Sequence, residues 1–320
     1  MSRRPFTRAL LSVVAPGGAR GLSILVYHRV LPHADPLFPA IVDAERFSLQ
    51  LDLLRRCFNV LPLPEALARM RTGSLPPRAA CITFDDGYAD NEAVALPLLR
   101  AHGLHATFFI ATGFLDGGRM WNDTVIETVR RAPVDTLACD CLGLGMVPVG
   151  TPVEKRMAVD LLLGALKYRP MHERVELAAR IADGSHARLP NDLMMTTAQV
   201  RSLHAAGMEI GAHTVHHPIL ATLRAPAARH EIACGRDALE AITGGKVGLF
   251  AYPNGKPGQD YLPEHVGMVR ALGFDGAVST AWGAGGDAFQ LPRFTPWDRS
   301  PLRFALRLAH NLTYPAALAA

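Results

Sequence analysis

The chain has 320 residues, 49% of them hydrophobic and 19% charged, with a formal net charge of +4. Length alone permits one large domain or two small ones with a sizeable buried core. The weak positive balance is spread along the chain, and no dense Lys/Arg run follows the first few residues, which argues against nucleic acid as the main partner.

Residues 1–22 read as a basic N-terminal segment, with Arg3, Arg4 and Arg8 ahead of the short apolar run Ala9–Val14 and Pro16-Gly17-Gly18. The run lacks the long apolar region of a signal peptide. It predicts a short basic amphipathic helix lying on the protein or making peripheral contact with a membrane. No stretch of about 18 apolar residues is available to span a bilayer. The remainder, 23–320, reads as a single domain.

Leu22–Tyr27 (LSILVY) is an apolar run of strand length and ends at His28. Ala44–Cys57 spaces Phe47, Leu51, Leu54 and the following Phe58 at a helical period. Ala79–Phe84 is a second buried strand, and Asn91–His102 a second helix. Between them stand Asp85-Asp86-Gly87-Tyr88. Ligands of parallel α/β folds bind beyond the carboxyl ends of strands. Two adjacent carboxylates there repel, so one is expected to hold a cation or share a proton.

A helix, a Gly and a strand then recur three times: at Gly103 before His105–Ile110, at Gly207 before Met208–Gly211, and at Gly273 before Phe274–Val278. A Gly after a helix takes the left-handed conformation that ends it. The repeat is the second half of a βαβ unit and implies a parallel sheet or barrel. Thr196 and Gln199 have the spacing of a capping box. Between residues 116 and 193 the alternation stops. Helical patterns at Asp123–Arg131, Val153–Arg169 and His172–Ala182, with a Gly/Pro connector at Gly143–Pro152, read as a helical insertion on one βα loop.

The second polar constellation, His213-Thr214-Val215-His216-His217-Pro218, follows the strand around Met208–Gly211. His213 and His217 are four residues apart, but Pro218 discourages a helix, so a tight loop has to bring the imidazoles together. One Asp of the Asp85-Asp86 pair with His213 and His217 makes a two-His, one-carboxylate set with positions left open for water and substrate. A divalent ion in such a set acidifies water and polarises a carbonyl, and the remaining Asp can accept the proton.

On these motifs the sequence resembles the polysaccharide deacetylases of the NodB-homology type, carbohydrate esterase family four. Thr83-Phe84-Asp85-Asp86-Gly87 matches the first motif of that family and His213–His217 the second. The resemblance covers roughly residues 23–294. It implies an α/β fold, a distorted (β/α) barrel of about seven parallel strands. It also implies Asp85 as base, Asp86, His213 and His217 as metal ligands, and the Tyr88 backbone N–H as an oxyanion donor. The third motif departs from the pattern: Phe250-Ala251-Tyr252-Pro253-Asn254-Gly255 has Ala251 where the family carries Arg, which makes Arg293 the candidate replacement. Tyr252, Pro253 and Asn254 remain candidates for the substrate wall, with Trp121 as a sugar platform; Trp282 is a further such candidate. No late His motif is present, and Tyr27-His28-Arg29-Val30 resembles members acting on poly-N-acetylglucosamine and similar exopolysaccharides, making His28 the candidate acid.

The implied reaction removes acetyl groups from N-acetylated sugars of a polysaccharide or glycan. Zinc is the expected ion, with iron, cobalt or nickel compatible with the same ligands. An O-acetyl ester or another C–N bond as the target, and a glycan-binding protein without turnover, are the rival readings. The five scattered cysteines fit reduced thiols in the cytoplasm, while the basic N-terminus allows membrane association.

Overall fold

The computed structural model describes residues 21–312, 314, 318 and 319. Seven segments form one parallel sheet, numbered β1 to β7 in chain order: Leu22–Tyr27, Asn59–Val60, Ala79–Phe84, Thr107–Ile110, Glu209–Ala212, Leu249–Ala251 and Gly276–Val278. Six follow the order β1-β3-β4-β5-β6-β7, and short β2 pairs with the first half of β3. All six residues of β1 and all six of β3 are buried, which is why both read as unbroken apolar runs: a parallel strand is covered on both faces.

The sheet curls, and residues 291–294 join its edges. Leu291 bridges to Val278 of β7 and Phe294 to Leu25 of β1; Phe294 exchanges backbone bonds with Val26 and Ile24 at 3.0 and 2.7 Å. The result is a distorted (β/α) barrel. Inside it pack Ile24, Cys81, Phe109, Ala251, Val278 and Leu291, together with Leu63, Ala66 and Leu67 of helix α2 (Leu63–Arg71). The alternate residues of the same strands, among them Leu25, Ile82, Phe84, Phe108 and Phe250, face the outer helices.

Helix α1 (Ala44–Cys57) begins at Asp43, whose carboxylate accepts the Arg46 N–H, and buries Phe47, Leu51 and Leu54. Asn91–His102 is not one uniform helix. Asn91–Ala95 winds as a π-helix before α3 (Leu96–His102). Pro97 has no N–H to donate into an α-helical ladder, and Leu96 N–H reaches back to the Asn91 carbonyl. Gly103, Gly207 and Gly273 take φ of 64, 81 and 82°, ending α3, α7 (Thr197–Ala205) and α9 (Pro263–Ala271) as the strands begin. The Thr196–Gln199 capping box is present.

The segment between β4 and β5 holds α4 (Trp121–Arg131), α5 (Pro152–Leu166) and α6 (Met171–Ser185). It also holds an antiparallel hairpin, Thr136–Ala138 with Met146–Pro148, where sequence periodicity gave only a connector. Three-residue strands are too short to show alternation. Val129, Leu137, Val147, Leu162 and Ile181 give this segment its own apolar cluster. The helix expected before residue 15 lies outside the described residues, and Leu22, placed with that N-terminal segment, opens β1. Among the described residues no helix is long and apolar enough to cross a membrane. Helices α8 (Ala225–Thr243) and α10 (Pro301–Asn311) complete the outer layer.

Phe84 sits under the site. Its ring stacks on Phe108 at 4.8 Å and Tyr27 at 5.3 Å, and meets Phe47 edge-on at 5.7 Å. Phe84→Ala is therefore expected to lower the free energy of unfolding by about 3–5 kcal/mol, read from a urea titration followed by far-UV circular dichroism.

Candidate active site

Parallel register sets the site. β1 and β3 pair so that Tyr27 lies level with Phe84, and β4 and β5 so that Ile110 lies level with Ala212. Ala212 in turn pairs with Phe250 of β6. His28, Asp85, His213 and Tyr252 are each the first residue beyond the carboxyl end of a strand.

Asp86 Oδ1 lies 3.4 Å from His213 Nε2 and 3.4 Å from His217 Nε2. This is long for a hydrogen bond, and Oδ1 is buried with no hydrogen-bond partner. Donors that share a tetrahedral ion at bond lengths of about 2.0–2.1 Å are roughly 3.4 Å apart. Ligand atoms of all three residues lie within 4.8 Å of one another, so they could hold a metal ion. His213 Nδ1 is 2.8 Å from the Ala251 carbonyl; donating there, it leaves Nε2 free to ligate.

The loops are bent to reach this geometry. Among the described non-glycine residues seven have positive φ, and four of them belong to this rim: Asp86 at 76°, Thr214 at 66°, His217 at 51° and Asn254 at 59°. Such conformations persist where surrounding contacts over-determine them. Thr214 hydroxyl donates to the His213 carbonyl and accepts the His217 N–H at 3.0 Å, which folds the two imidazoles onto one side. Glu231 of α8 accepts the Val215 and His216 N–H groups at 3.0 and 2.8 Å, and contacts His216 Nδ1 at 2.8 Å. Gly235, one turn further, allows α8 to approach: a Cβ there would come within 2.7 Å of the Thr214 backbone.

Asp85 faces Arg293, which residues 291–294 carry into the barrel. Arg293 Nη1 and Nη2 donate to the two carboxylate oxygens at 2.7 and 2.6 Å, and Nε donates to the Ser279 carbonyl at 2.9 Å. Burial alone would raise the Asp85 pKa, but Arg293 and His213 outweigh it and hold the carboxyl below its ordinary value. For Asp86, burial is likewise outweighed by the two imidazoles, and the carboxyl is lowered. Burial pushes His217 down to about 4, which keeps it neutral. His213 experiences the same burial, yet Asp86 and Asp85 hold it above its usual value.

His28 is exposed at the mouth of a cavity of about 340 Å³, bordered also by Asp85, Asp86, His213 and His217. Asn91, at the start of the π-helix, ties the His28 carbonyl at 2.9 Å. Tyr88 is held by an antiparallel bridge to Met194, formed by Ala89 N–H to Leu193 and Met195 N–H to Gly87. Neither bond uses the Tyr88 N–H. Its hydroxyl donates to both oxygens of Asp123, at 3.0 and 3.1 Å, and burial raises Asp123 to about 7.

Trp121 and Asn254 border the cavity. The Tyr252 ring instead stacks on Tyr261 at 3.9 Å and its hydroxyl donates to the Phe289 carbonyl at 3.0 Å; Tyr252 and Pro253 are buried and lie outside the cavity lining. Trp282 packs on Tyr314 and His310, also away from the cavity. Thr214, Glu231 and Asp123 were not singled out in sequence. Only Thr214, inside the His motif, carried a local signal there.

Fold and site together define a barrel with a cavity lined by carboxylates and imidazoles at the carboxyl ends of its strands. The profile of the polysaccharide deacetylase family matches residues 72–136 and 173–276, just over half of the chain, and the chain belongs to that family. The fold is shared with a Streptococcus pyogenes deacetylase, PplD, solved with acetate (TM-score 0.60, 20% identity, covering 90% of this chain and 98% of the other). It is also shared with IcaB from Ammonifex degensii (0.58, 21%, 91% and 97%) and a de-N-acetylase from Aggregatibacter actinomycetemcomitans (0.55, 17%, 86% and 94%). No curated protein matches the chain by sequence.

Removing one partner of a buried pair leaves the other charge uncompensated. Arg293→Leu is expected to cost about 3–5 kcal/mol of unfolding free energy at pH 7. The folded pKa of Asp85 is depressed in the presence of Arg293, so this stabilisation is present above the ordinary carboxylate range and lost as pH falls through the folded value. Urea titrations at pH 7 and under acid should show the gap between the two proteins narrowing at low pH.

Proposed function

We propose that the protein is a metal-dependent deacetylase that hydrolyses the acetamido group of an N-acetylated sugar within a glycan. The observation that carries this reading is a buried, ionised carboxylate, Asp85, placed beside a carboxylate and two imidazoles spaced for one cation. Family membership supplies the deacetylase chemistry. Two of the similar folds are named as a deacetylase and a de-N-acetylase, which favours acetyl groups on nitrogen.

Asp86, His213 and His217 would hold the ion, with zinc the default for two imidazoles and one carboxylate. Such an ion acidifies water and polarises a carbonyl. Asp85 accepts the proton of the attacking water; Arg293 holds its two oxygens in place and keeps it ionised at neutral pH. The Tyr88 N–H, left unused by the Met194 bridge, donates to the oxyanion. A single donor of this kind contributes about 3–4 kcal/mol in known cases. Asp123 fixes the Tyr88 side chain, and through it the turn that presents that N–H. His28, at the exposed mouth, protonates the departing amine. Acetate and a free amino sugar are the products.

Asp85→Asn keeps the shape of the side chain and removes the base. Loss of a general base costs about 10²- to 10⁴-fold in rate. Acetate release from N-acetylglucosamine oligosaccharides by the zinc-loaded protein should fall by that factor, with bound metal unchanged, and each acetate released by the wild type should be matched by one new primary amine. Unchanged turnover in the variant would remove Asp85 from the mechanism. Acetate without new amine would move the reaction to an ester.

A further inference from the structure

The proposed chemistry leaves one buried cation of the cavity unused. Arg174 of α6 borders the cavity and is 4% exposed. Its guanidinium lies 5.1 Å from the centre of the Trp121 ring, and Nη1 donates to the Lys167 carbonyl just past the end of α5 at 2.9 Å. Its Nε is buried with no hydrogen-bond partner. Glu173, its neighbour in sequence, is committed to Arg169. Burial alone acts on the Arg174 pKa, lowering it, with no carboxylate compensating.

Lys167 borders the same cavity. Its ammonium lies 5.5 Å from the Tyr168 ring centre and makes no salt bridge among the described residues. Of the two carboxylates on the cavity wall, Asp85 is paired with Arg293 and Asp86 faces the two imidazoles of the proposed cation set. Buried charges in proteins are paired or hydrogen-bonded, because desolvating one alone is expensive. A buried guanidinium facing a cavity without a protein counter-charge marks where a ligand anion belongs, and its planar fork matches carboxylate and phosphate. Lys167 lies in the stretch 137–172 that the family profile leaves unmatched, and Arg174 just past it. The segment between β4 and β5 thus adds positive charge to the barrel site.

We propose that Arg174 and Lys167 form an anion subsite in the catalytic cavity, and that the substrate carries a carboxylate or phosphate close to its acetylated sugar. The proposal rests on the deacetylase reading and deepens it by naming an acidic glycan as the substrate class.

The test is binding by calorimetry to the metal-free wild-type protein, which keeps the Asp85–Arg293 pair intact and does not depend on turnover. Three probes are compared: a tetrasaccharide of alternating N-acetylglucosamine and glucuronate, N-acetylglucosamine 6-phosphate, and the neutral N-acetylglucosamine tetrasaccharide. A charged hydrogen bond of about 1.5–3 kcal/mol corresponds to roughly tenfold or more in affinity. At least one acidic probe is expected to bind tighter than the neutral one by that factor, and which one does so separates carboxylate from phosphate. Arg174→Gln should erase the preference and Lys167→Gln should reduce it. If Arg174→Gln fails to fold, the more exposed Lys167→Gln decides. Equal affinity for acidic and neutral probes, no binding of either acid, or a preference that survives both substitutions would overturn the subsite. Absence of acetate release by the wild type would instead count against the deacetylase reading, leaving the binding result to stand on its own.

Discussion

A carboxylate oxygen buried without a hydrogen bond, 3.4 Å from each of two imidazole nitrogens, is the constraint around which this barrel is arranged. Desolvating an anion costs several kcal/mol unless something compensates. The rim is shaped to supply that compensation at one point. Strand register brings the chain ends level, left-handed residues at Asp86, Thr214 and His217 turn the side chains inward, and Thr214, Glu231 and Ala251 lock the His loop. Each of these contacts is ordinary alone. Together they place three ligand atoms where a cation is the natural partner.

Barrel closure and catalysis are linked in the same way. Residues 291–294 bridge β7 to β1 through Leu291 and Phe294, and the intervening Arg293 points at Asp85. The segment that seals the sheet therefore also sets the charge state of the proposed base. Buried ion pairs contribute little net stability compared with apolar packing; the Arg293–Asp85 pair is better understood as holding a carboxylate ionised and oriented. Phe84, immediately before Asp85, anchors the same strand in an aromatic stack with Phe108 and Tyr27.

Much of this was legible in the sequence for identifiable reasons. β1, α1 and β3 were readable to the residue because fully buried strands and an amphipathic helix leave strong apolar patterns. The glycine stops at 103, 207 and 273 were readable because left-handed helix ends favour Gly. The Asp and His motifs stood out by their place after strands, and Ala251 in the third motif directed attention to Arg293. Other features had no local signature. The hairpin at 136–148 is too short for periodicity, and the π-helix follows from Pro97 together with the tie to His28. Glu231 and Arg174 look like any polar residues on helices until tertiary packing turns them inward. Tyr252 sits next to the site in sequence, yet its ring belongs to a stack with Tyr261.

On the proposed reading Asp86, His213 and His217 bind one ion together. Titrating the metal-free protein with cobalt(II) and following visible absorption tests it most directly, because d–d bands report coordination number and ligand set independently of any substrate. Saturation at one cobalt per chain with low-coordinate intensity, displacement by zinc, and loss of the signal in His213→Ala and in Asp86→Ala are expected. A spectrum that stays that of the aqueous ion, or one indifferent to both substitutions, would contradict it.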